Sequence, residues 1–419
     1  MKLSKANKIL LGYSEIAGYQ SNLFSGLVSN DQIVGYVNNS NVKYDYEYPE
    51  SNNHPKLNKY NTFCKRALNN PTFINKIAYV FYTLYILLFT IFFYDVFIIN
   101  KFCFYYRLDI KLLKFFKKKI IFISLGSTTR PPYLNGSYKD DTKNKEFNLK
   151  KILNETNQIR KKVEFIENNV DLFLNYPQHG HFNSKPFING MYIGFPTMIK
   201  ENVIKRKKNE VLKILHAPSR PNAKGSDLIK KIVQSLQKEG LNIELVELIN
   251  SSNLKVINQI EKSDIIFDEI YSDIPLGGLG TEAAQFSKPV ILGGYYTDFF
   301  KNYDSKIIPP SIYVHPDNLK NSLKELCLNE NKRIKIGKEL NDFVKKNWNN
   351  EVVAHKYLKL INNHYDNRWN YDPKMISNFN GWGISEKEMK NNIKKMIQLP
   401  GGKLNLGILN YDTLDEIIQ

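Results

Sequence analysis

Asp273-Ile274-Pro275-Leu276-Gly277-Gly278-Leu279-Gly280-Thr281-Glu282-Ala283-Ala284-Gln285-Phe286-Ser287-Lys288-Pro289-Val290-Ile291-Leu292 decides how this chain of 419 residues folds. Gly277, Gly278 and Gly280 make a loop with few side chains, so backbone amides can approach a ligand closely. The loop runs into a short helix predicted over residues 281–286. The first N–H groups of such a helix lack partners within it and carry partial positive charge, which suits phosphate. Glu282 falls in the first turn, placed to accept hydrogen bonds from hydroxyls of the molecule that carries the phosphate. Lys288-Pro289 stops the helix, and Val290-Ile291-Leu292 reads as a buried parallel strand. A phosphate cradle followed by a hydroxyl-reading carboxylate points to a nucleotide-sugar site. Alone, the glycine loop is equally an ordinary strand-to-helix turn.

A second segment upstream separates these readings. Lys213-Ile214-Leu215-His216-Ala217-Pro218 reads as a strand ending at a turn, and Leu228 to Leu236 as an amphipathic helix. Arg220 and Lys224 lie between them, at the carboxyl end of a strand, where open α/β sheets bind ligands. Two cations there would neutralise a diphosphate leaving group. The alternative for each is a solvated surface charge. His216 at the strand end is read as making a structural hydrogen bond.

These residues carry a family resemblance. Ser219-Arg220 with Lys224-Gly225, then Ser263 to Asp268, then Gly277 to Ala283 and Lys288-Pro289-Val290 resemble the donor half of GT-B glycosyltransferases. The nearest group looks like the retaining, family-4-like enzymes of bacterial surface polysaccharide synthesis. The resemblance covers residues 212–361 well and the N-terminal half more loosely. It implies that Arg220 and Lys224 bind the donor diphosphate, that Gly277, Gly278, Leu279, Gly280 and Thr281 form the phosphate loop, and that Glu282 holds the donor ribose. A common form of the motif has a further Glu eight residues before the last. Ile274 stands there, with Asp273 beside it and Glu269 further back, so the contact to the transferred sugar is open. Contacts to a nucleotide base are expected around residues 250–252.

Composition agrees with two ordinary domains: 42% of residues are hydrophobic and 24% charged, which a disordered chain would not show. Three widely spaced cysteines, Cys64, Cys103 and Cys327, fit no disulfide or metal framework and suit a reducing cytoplasm. The apolar run Lys8 to Gly12 is too short for a secretory signal. The net charge is +18, and residues 1–200 hold 27 Lys and Arg against 14 Asp and Glu. The excess therefore sits away from the donor half. Anionic lipid, an anionic glycan or nucleic acid would each attract it. No nucleic-acid-binding motif is present, so nucleic acid is not expected as a partner. Genome composition is the bland explanation for a Lys- and Asn-rich chain.

Alternating strand and helix patterns fill both halves, which predicts α/β architecture: two doubly wound Rossmann-like domains facing across a cleft. Residues 1–199 are read as the acceptor domain and residues 200–350 as the nucleotide-sugar donor domain. Residues 351–419 are read as a crossover helix followed by a helical appendage without assigned chemistry. Strands are predicted over residues 8–12, 31–37, 94–99, 119–124, 172–175, 213–216, 243–248, 265–267 and 289–292. Helices are predicted over 20–27 and 149–165. Residues 39–60 are read as a polar loop and 197–211 as a linker.

Residues 77–94 contain no charge, and eighteen is the threshold length for a membrane span. A span would split one domain across a bilayer. The other readings are a core helix and a helix lying on the bilayer surface, which the basic excess favours. Lys111 to Lys119 adds a short cationic amphipathic segment. The expected setting is therefore cytoplasmic, peripheral to an anionic membrane at the inner face of the plasma membrane.

Glycosyl transfer needs a positioned acceptor and a stabilised leaving diphosphate. No Asp-x-Asp occurs, and cations can take the role of a metal, so neither metal nor cofactor is expected beyond the donor itself. Residues 12–18 resemble the first loop of GT-B enzymes, so Gly12 and Gly18 are expected at the donor and Glu15 at the sugar or acceptor. A solvated loop acid is the alternative for Glu15. Leu125-Gly126-Ser127-Thr128-Thr129-Arg130 resembles a family loop with Leu125 in place of His and Thr128 in place of Asp. Arg130 is retained there as an acceptor or sugar contact. His179 and His181 could line the cleft, but loop or surface positions are preferred, with no third metal ligand evident. The expected reaction moves a sugar from a nucleoside-diphosphate sugar to a glycan or lipid-linked glycan, with retention. An inverting enzyme and a non-catalytic membrane-associated scaffold are the rivals.

Overall fold

A computed structural model describes residues 6–39, 49–51, 54–103, 107–126, 128–138, 148–199, 211–295, 297–376, 383–402 and 406–407. The first sheet is built from β1 (Lys8–Tyr13), β2 (Ile33–Asn38), β3 (Val96–Ile99), β4 (Lys119–Ile123), β5 (Leu172–Asn175) and β6 (Phe187–Asn189). The second contains β7 (Leu212–His216), β8 (Ile243–Glu247), β9 (Ile265–Phe267), β10 (Val290–Gly293) and β11 (Ile312–Val314). A short β12 (Asn370–Tyr371) returns to pair antiparallel with β6. All other pairings are parallel.

Strand order is β12-β6-β5-β4-β3-β1-β2 in one sheet and β11-β10-β9-β7-β8 in the other. Both reverse direction of winding beside their first strand, so each has a switch point: β1/β3 and β7/β9. Loops leaving the carboxyl ends of those strands diverge there and leave a crevice. The strands are apolar on both faces because helices cover both. Leu10, Phe97 and Phe122 point into one core, and Ile9, Ile98 and Ile121 into another. Ile214, Phe267 and Ile291 face one layer of the second domain, and Leu215, Ile266 and Leu292 the opposite one.

The architecture is the expected one, and the differences are local. Phe187–Asn189, Ile312–Val314 and Asn370–Tyr371 are strands with no prediction, because two or three residues carry no readable periodicity. The loop expected over 39–60 contains the start of α2 (Pro55–Asn69 in chain order after α1, Tyr19–Ser29), with Pro55 in the first turn, where its missing N–H costs nothing. Residues 40–48 and 52–53 of that stretch, and 200–210 of the expected linker, lie outside the described residues. The apolar run belongs to a longer helix, α3 (Phe73–Phe93), capped by Thr72 accepting from the Asn75 amide. One side of α3, including Thr83, Ile86, Leu87 and Ile91, is buried in the first domain. At 21 residues it is long and apolar enough to cross a membrane, it is followed at once by β3, and it is not a fully buried core helix.

The helix Asn350–Ile361 crosses back onto the first domain. Tyr357 there shares a 2.8 Å hydroxyl–hydroxyl hydrogen bond with Tyr19 of α1. Gly26 permits this contact, since a Cβ there would lie 2.1 Å from the Asn350 carbonyl oxygen. The tail beyond it is built into the domain: Ile384, Met389, Ile393 and Met396 are buried in the same core as Phe122. Trp382 lies outside the described residues.

Candidate active site at the interdomain cleft

The two switch points face each other across a cavity of about 470 Å³, the size of an ordinary small-molecule site. The first domain contributes Glu15, Ala17, Arg130, Tyr176 and His179; the second contributes Arg220, Lys224, Glu269, Gly278 and Glu282.

The glycine loop differs from its sequence reading in one respect. The helix begins at Gly278, three residues before the predicted start, and runs Gly278–Gln285 with Gly277 as its cap. Asp268, at the end of β9, explains this. One of its carboxylate oxygens accepts from the amides of Gly277 at 3.0 Å and Gly280 at 3.1 Å. The Thr281 amide donates to the Gly277 carbonyl. Among the described residues this leaves the Gly278 and Leu279 amides without a protein partner. Those two line the cavity, whereas Gly280 and Thr281 are buried behind it. The open donors are thus two adjacent amides at a helix N-terminus, a geometry that suits an anion.

Cations surround it. Arg220 caps the short turn Pro221–Lys224 and faces the cavity. Lys224 is held at 3.2 Å from Glu269 and 3.7 Å from Asp268. Burial pulls the Glu269 carboxyl up, but Lys224 and Arg130 outweigh it and hold it below the usual range. Asp268 goes the other way: burial raises it and neighbouring Glu269 adds to that, with Lys224 opposing. Glu282 sits one turn into the helix, and the Asn253 side-chain amide donates to it at 2.6 Å. Asn250 and Ser251 line the same end of the cavity, where base contacts were expected.

Across the cleft, Arg130 is buried and makes a 2.9 Å hydrogen bond to His179 Nε2. The guanidinium only donates, so Nε2 is the acceptor and the imidazole proton lies on Nδ1. Burial and then the adjacent Arg130 push His179 well below the usual histidine value. Burial lowers Arg130 to about 10, with Glu269 and Asp273 of the opposite domain drawing it back up. Charges of the two domains therefore feel each other over the cavity.

Several expectations need correction. Glu15 lines the cavity, but its carboxylate accepts from the amides of Ile16 at 2.9 Å and Ser21 at 2.9 Å, and from the Ser21 hydroxyl. It caps α1 and is buried, so it is not the solvated loop acid of the alternative reading. Gly12 and Gly18 are not among the lining residues; Gly18 supplies the left-handed turn, φ 76°, that starts α1. His179 and His181 are buried, contrary to the preferred loop-surface reading, because the turn after β5 folds under the cleft. His216 makes the expected structural bonds, to the Phe267 carbonyl and Ser226 hydroxyl. Ile274 lines the cavity, so no carboxylate occupies that position.

Asp268 closes the Ser263–Asp268 segment but was given no role in the sequence reading, and Asn253 and the His179 bond to Arg130 escaped it. An Asp directly after a strand and nine residues before a glycine was the available sign for Asp268.

Two Rossmann-like domains, opposed across a cleft at their switch points and tied by a returning C-terminal helix, define the GT-B class of fold. Neither a protein-family model nor a curated protein sequence matches the chain. Among solved structures it is similar to sucrose-phosphate synthase from Thermosynechococcus elongatus, with 11% identity and a TM-score of 0.48, over 86% of this chain and 99% of that one. It is also similar to the Anabaena protein HepE in complex with UDP-glucose, with 9% identity and a TM-score of 0.44, over 85% and 100% of the two chains. A glycosyltransferase from Rickettsia africae gives 14% identity and a TM-score of 0.44, over 87% and 100%.

Proposed function

We propose that this protein is a glycosyltransferase that binds a nucleoside-diphosphate sugar in the cleft. The observation that carries the reading is the convergence of Arg220, Lys224 and the open amides of Gly278 and Leu279 beside Glu282. Two amides and two cations match a diphosphate, and a carboxylate one helical turn away matches the ribose diol. Arg130, facing them from the first domain, stands on the side of the transferred sugar. Glu269 is the carboxylate available near that sugar in place of Ile274.

In the proposed step the bond between the anomeric carbon and the diphosphate oxygen breaks, and a bond to the acceptor hydroxyl oxygen forms. The acceptor proton passes to the departing phosphate oxygen, whose charge Arg220 and Lys224 hold. No metal or further cofactor enters the scheme. Attack from the leaving-group side gives retention, and it suits a site in which Glu15 is occupied as a helix cap. The acceptor is a glycan or lipid-linked glycan of the cell surface, reached from the cytoplasm.

The test is titration of UDP, GDP, ADP and CMP, followed by donor hydrolysis and transfer assays, with Glu282→Ala alongside. The expected result is binding of one nucleoside diphosphate, turnover of the matching sugar, and a loss of about 10- to 100-fold in affinity for Glu282→Ala. Nucleotide binding without turnover of any sugar would instead favour the scaffold reading. An absence of both would exclude the enzyme.

A further inference from the structure

We propose that the face built by α3 and its basic neighbours docks the protein onto an anionic phospholipid bilayer. Phe73, Ile74, Ile77, Val80, Phe81, Tyr85, Leu88 and Phe92 are all exposed, and their three- and four-residue spacing puts them on one side of α3. Phe73, Phe81 and Phe92 are 77%, 68% and 75% exposed. At about 1.5 Å per residue the stripe is roughly 30 Å long. It continues into a second element, α4 (Leu108–Phe115): Phe116 meets Phe92 with ring centroids 5.6 Å apart, and Phe115 is 77% exposed. A continuous apolar face of this extent exceeds what soluble monomers leave in water and marks a contact surface.

Charge identifies the occupant. From Ser51 to Tyr94 the chain contains no Asp or Glu. Lys56 of α2 is exposed and lies over the Tyr85 and Phe89 rings of α3, and Lys59, Lys65 and Arg66 are exposed on the same helix. Lys111, Lys114 and Lys117 are exposed around Phe115 and Phe116, the end that meets Phe92. Exposed aromatic rings with cations beside them and no acid in α2 or α3 match a headgroup layer, with rings at the acyl boundary and amines on the phosphates. A symmetric pair of this chain would instead bring the same cations of both copies together on one face, which is repulsive. The bilayer is therefore the single occupant argued for.

Geometry also sets the orientation. The Tyr79 hydroxyl donates to the Asn39 carbonyl, just past the end of β2, while Tyr94 leads directly into β3. α3 thus runs antiparallel to the strands, and its Phe73 end stands at the level where the cleft opens. Docked along α3, the protein holds the mouth of the cleft beside the membrane. This inference is independent of whether the cleft transfers sugar.

The test is flotation of the full chain with phosphatidylcholine vesicles, with and without about one third phosphatidylglycerol, at low and high salt. Phe81→Ser/Phe92→Ser/Phe115→Ser removes the apolar contact, and Lys111→Gln/Lys114→Gln/Lys117→Gln the charge. All are exposed positions, and circular dichroism melts verify folding. The expected result is binding to the anionic vesicles alone, weakened about tenfold or more in both variants and by high salt. Absence of vesicle binding, or binding that neither variant alters, would overturn the proposal. So would a dimer in light scattering that the aromatic variant dissociates while vesicle binding is absent. Salt dependence of the unaltered chain decides the charge argument even if one variant misfolds.

Discussion

Ala17 and Gly278 face each other across the cleft so closely that a Cβ on Gly278 would lie 2.7 Å from the Ala17 Cβ. Ala17 belongs to the loop after β1, and Gly278 is the first residue of the helix that presents the open amides. The two domains are therefore in contact beside the open amides themselves.

Gly278→Ala should push the first loop away from the amides. Overpacking of this kind costs about 1–3 kcal/mol, which is relieved by separating the domains because the contact lies between them. The donor Michaelis constant should then rise about tenfold while the thermal midpoint changes little. Ala17→Gly in the same chain should restore binding, since it removes the opposing methyl and suits Ala17's left-handed backbone, φ 52°. Donor titration of both single variants and the pair checks this; failure of the pair to recover would mean that closure at this point is not what Gly278 protects.

Asp268 holds the loop from below. Asp268→Ala would leave the Gly277 and Gly280 amides without their acceptor, at about 1–3 kcal/mol for each buried donor. A lower urea midpoint is expected, together with weaker nucleotide binding as the loop loses its shape. Asp268→Asn keeps a carbonyl oxygen and removes a charge whose burial is unfavourable, so it should lose much less stability. Urea unfolding of the two variants separates these outcomes; equal losses would show that the carboxylate charge, through Lys224, is what matters.

The legibility of the chain follows from where information is local. β1, β4, β5, β7 and β9 are apolar on both faces, and that pattern survives in sequence without any partner. Glycines and the cations after β7 carry local chemistry too. By contrast, β11 and β12 exist only because β10 and β6 offer a free edge, which is long-range information. The early start of the helix at Gly278 depends on Asp268 ten residues away. Glu15 reads as an available acid until α1 is seen to place its amides around it. His179 reads as a loop residue because its bond to Arg130 spans 49 positions.

Histidine burial predicts how stability depends on pH. His216 is buried, and burial together with Lys224 and Lys230 lowers it to about 4 against the opposing bond to the Phe267 carbonyl. The unfolded chain, with an ordinary value near 6.5, takes up a proton first as pH falls. Stability should be fully present above about pH 6.5 and be lost progressively toward pH 4, by up to about 3 kcal/mol from this residue. His179, lowered in the same direction, steepens the slope. Urea midpoints across this range should decline for the native chain and decline less for His216→Gln. An unchanged slope would place the acid sensitivity elsewhere.

The Arg130–His179 bond makes the sharpest prediction about turnover. His179 cannot act as the base while its Nε2 accepts from Arg130; in the proposed reaction it would aim the guanidinium. His179→Ala leaves Arg130 without that acceptor in a buried setting, and Arg130 faces the second domain's Glu269 and Asp273. The guanidinium should pair with those carboxylates and no longer be aimed at the transferred sugar. Loss of an aligned charge in the transition state is worth on the order of 10²-fold in kcat. Donor affinity should move by less than about threefold, because Arg220, Lys224 and the open amides are untouched. His179→Gln, whose carbonyl oxygen can accept the same bond, should recover most of the rate. Measuring kcat and KM separately for both variants tests the assignment. A drop confined to KM would move Arg130 to the diphosphate, and a drop in thermal stability alone would make the pair structural.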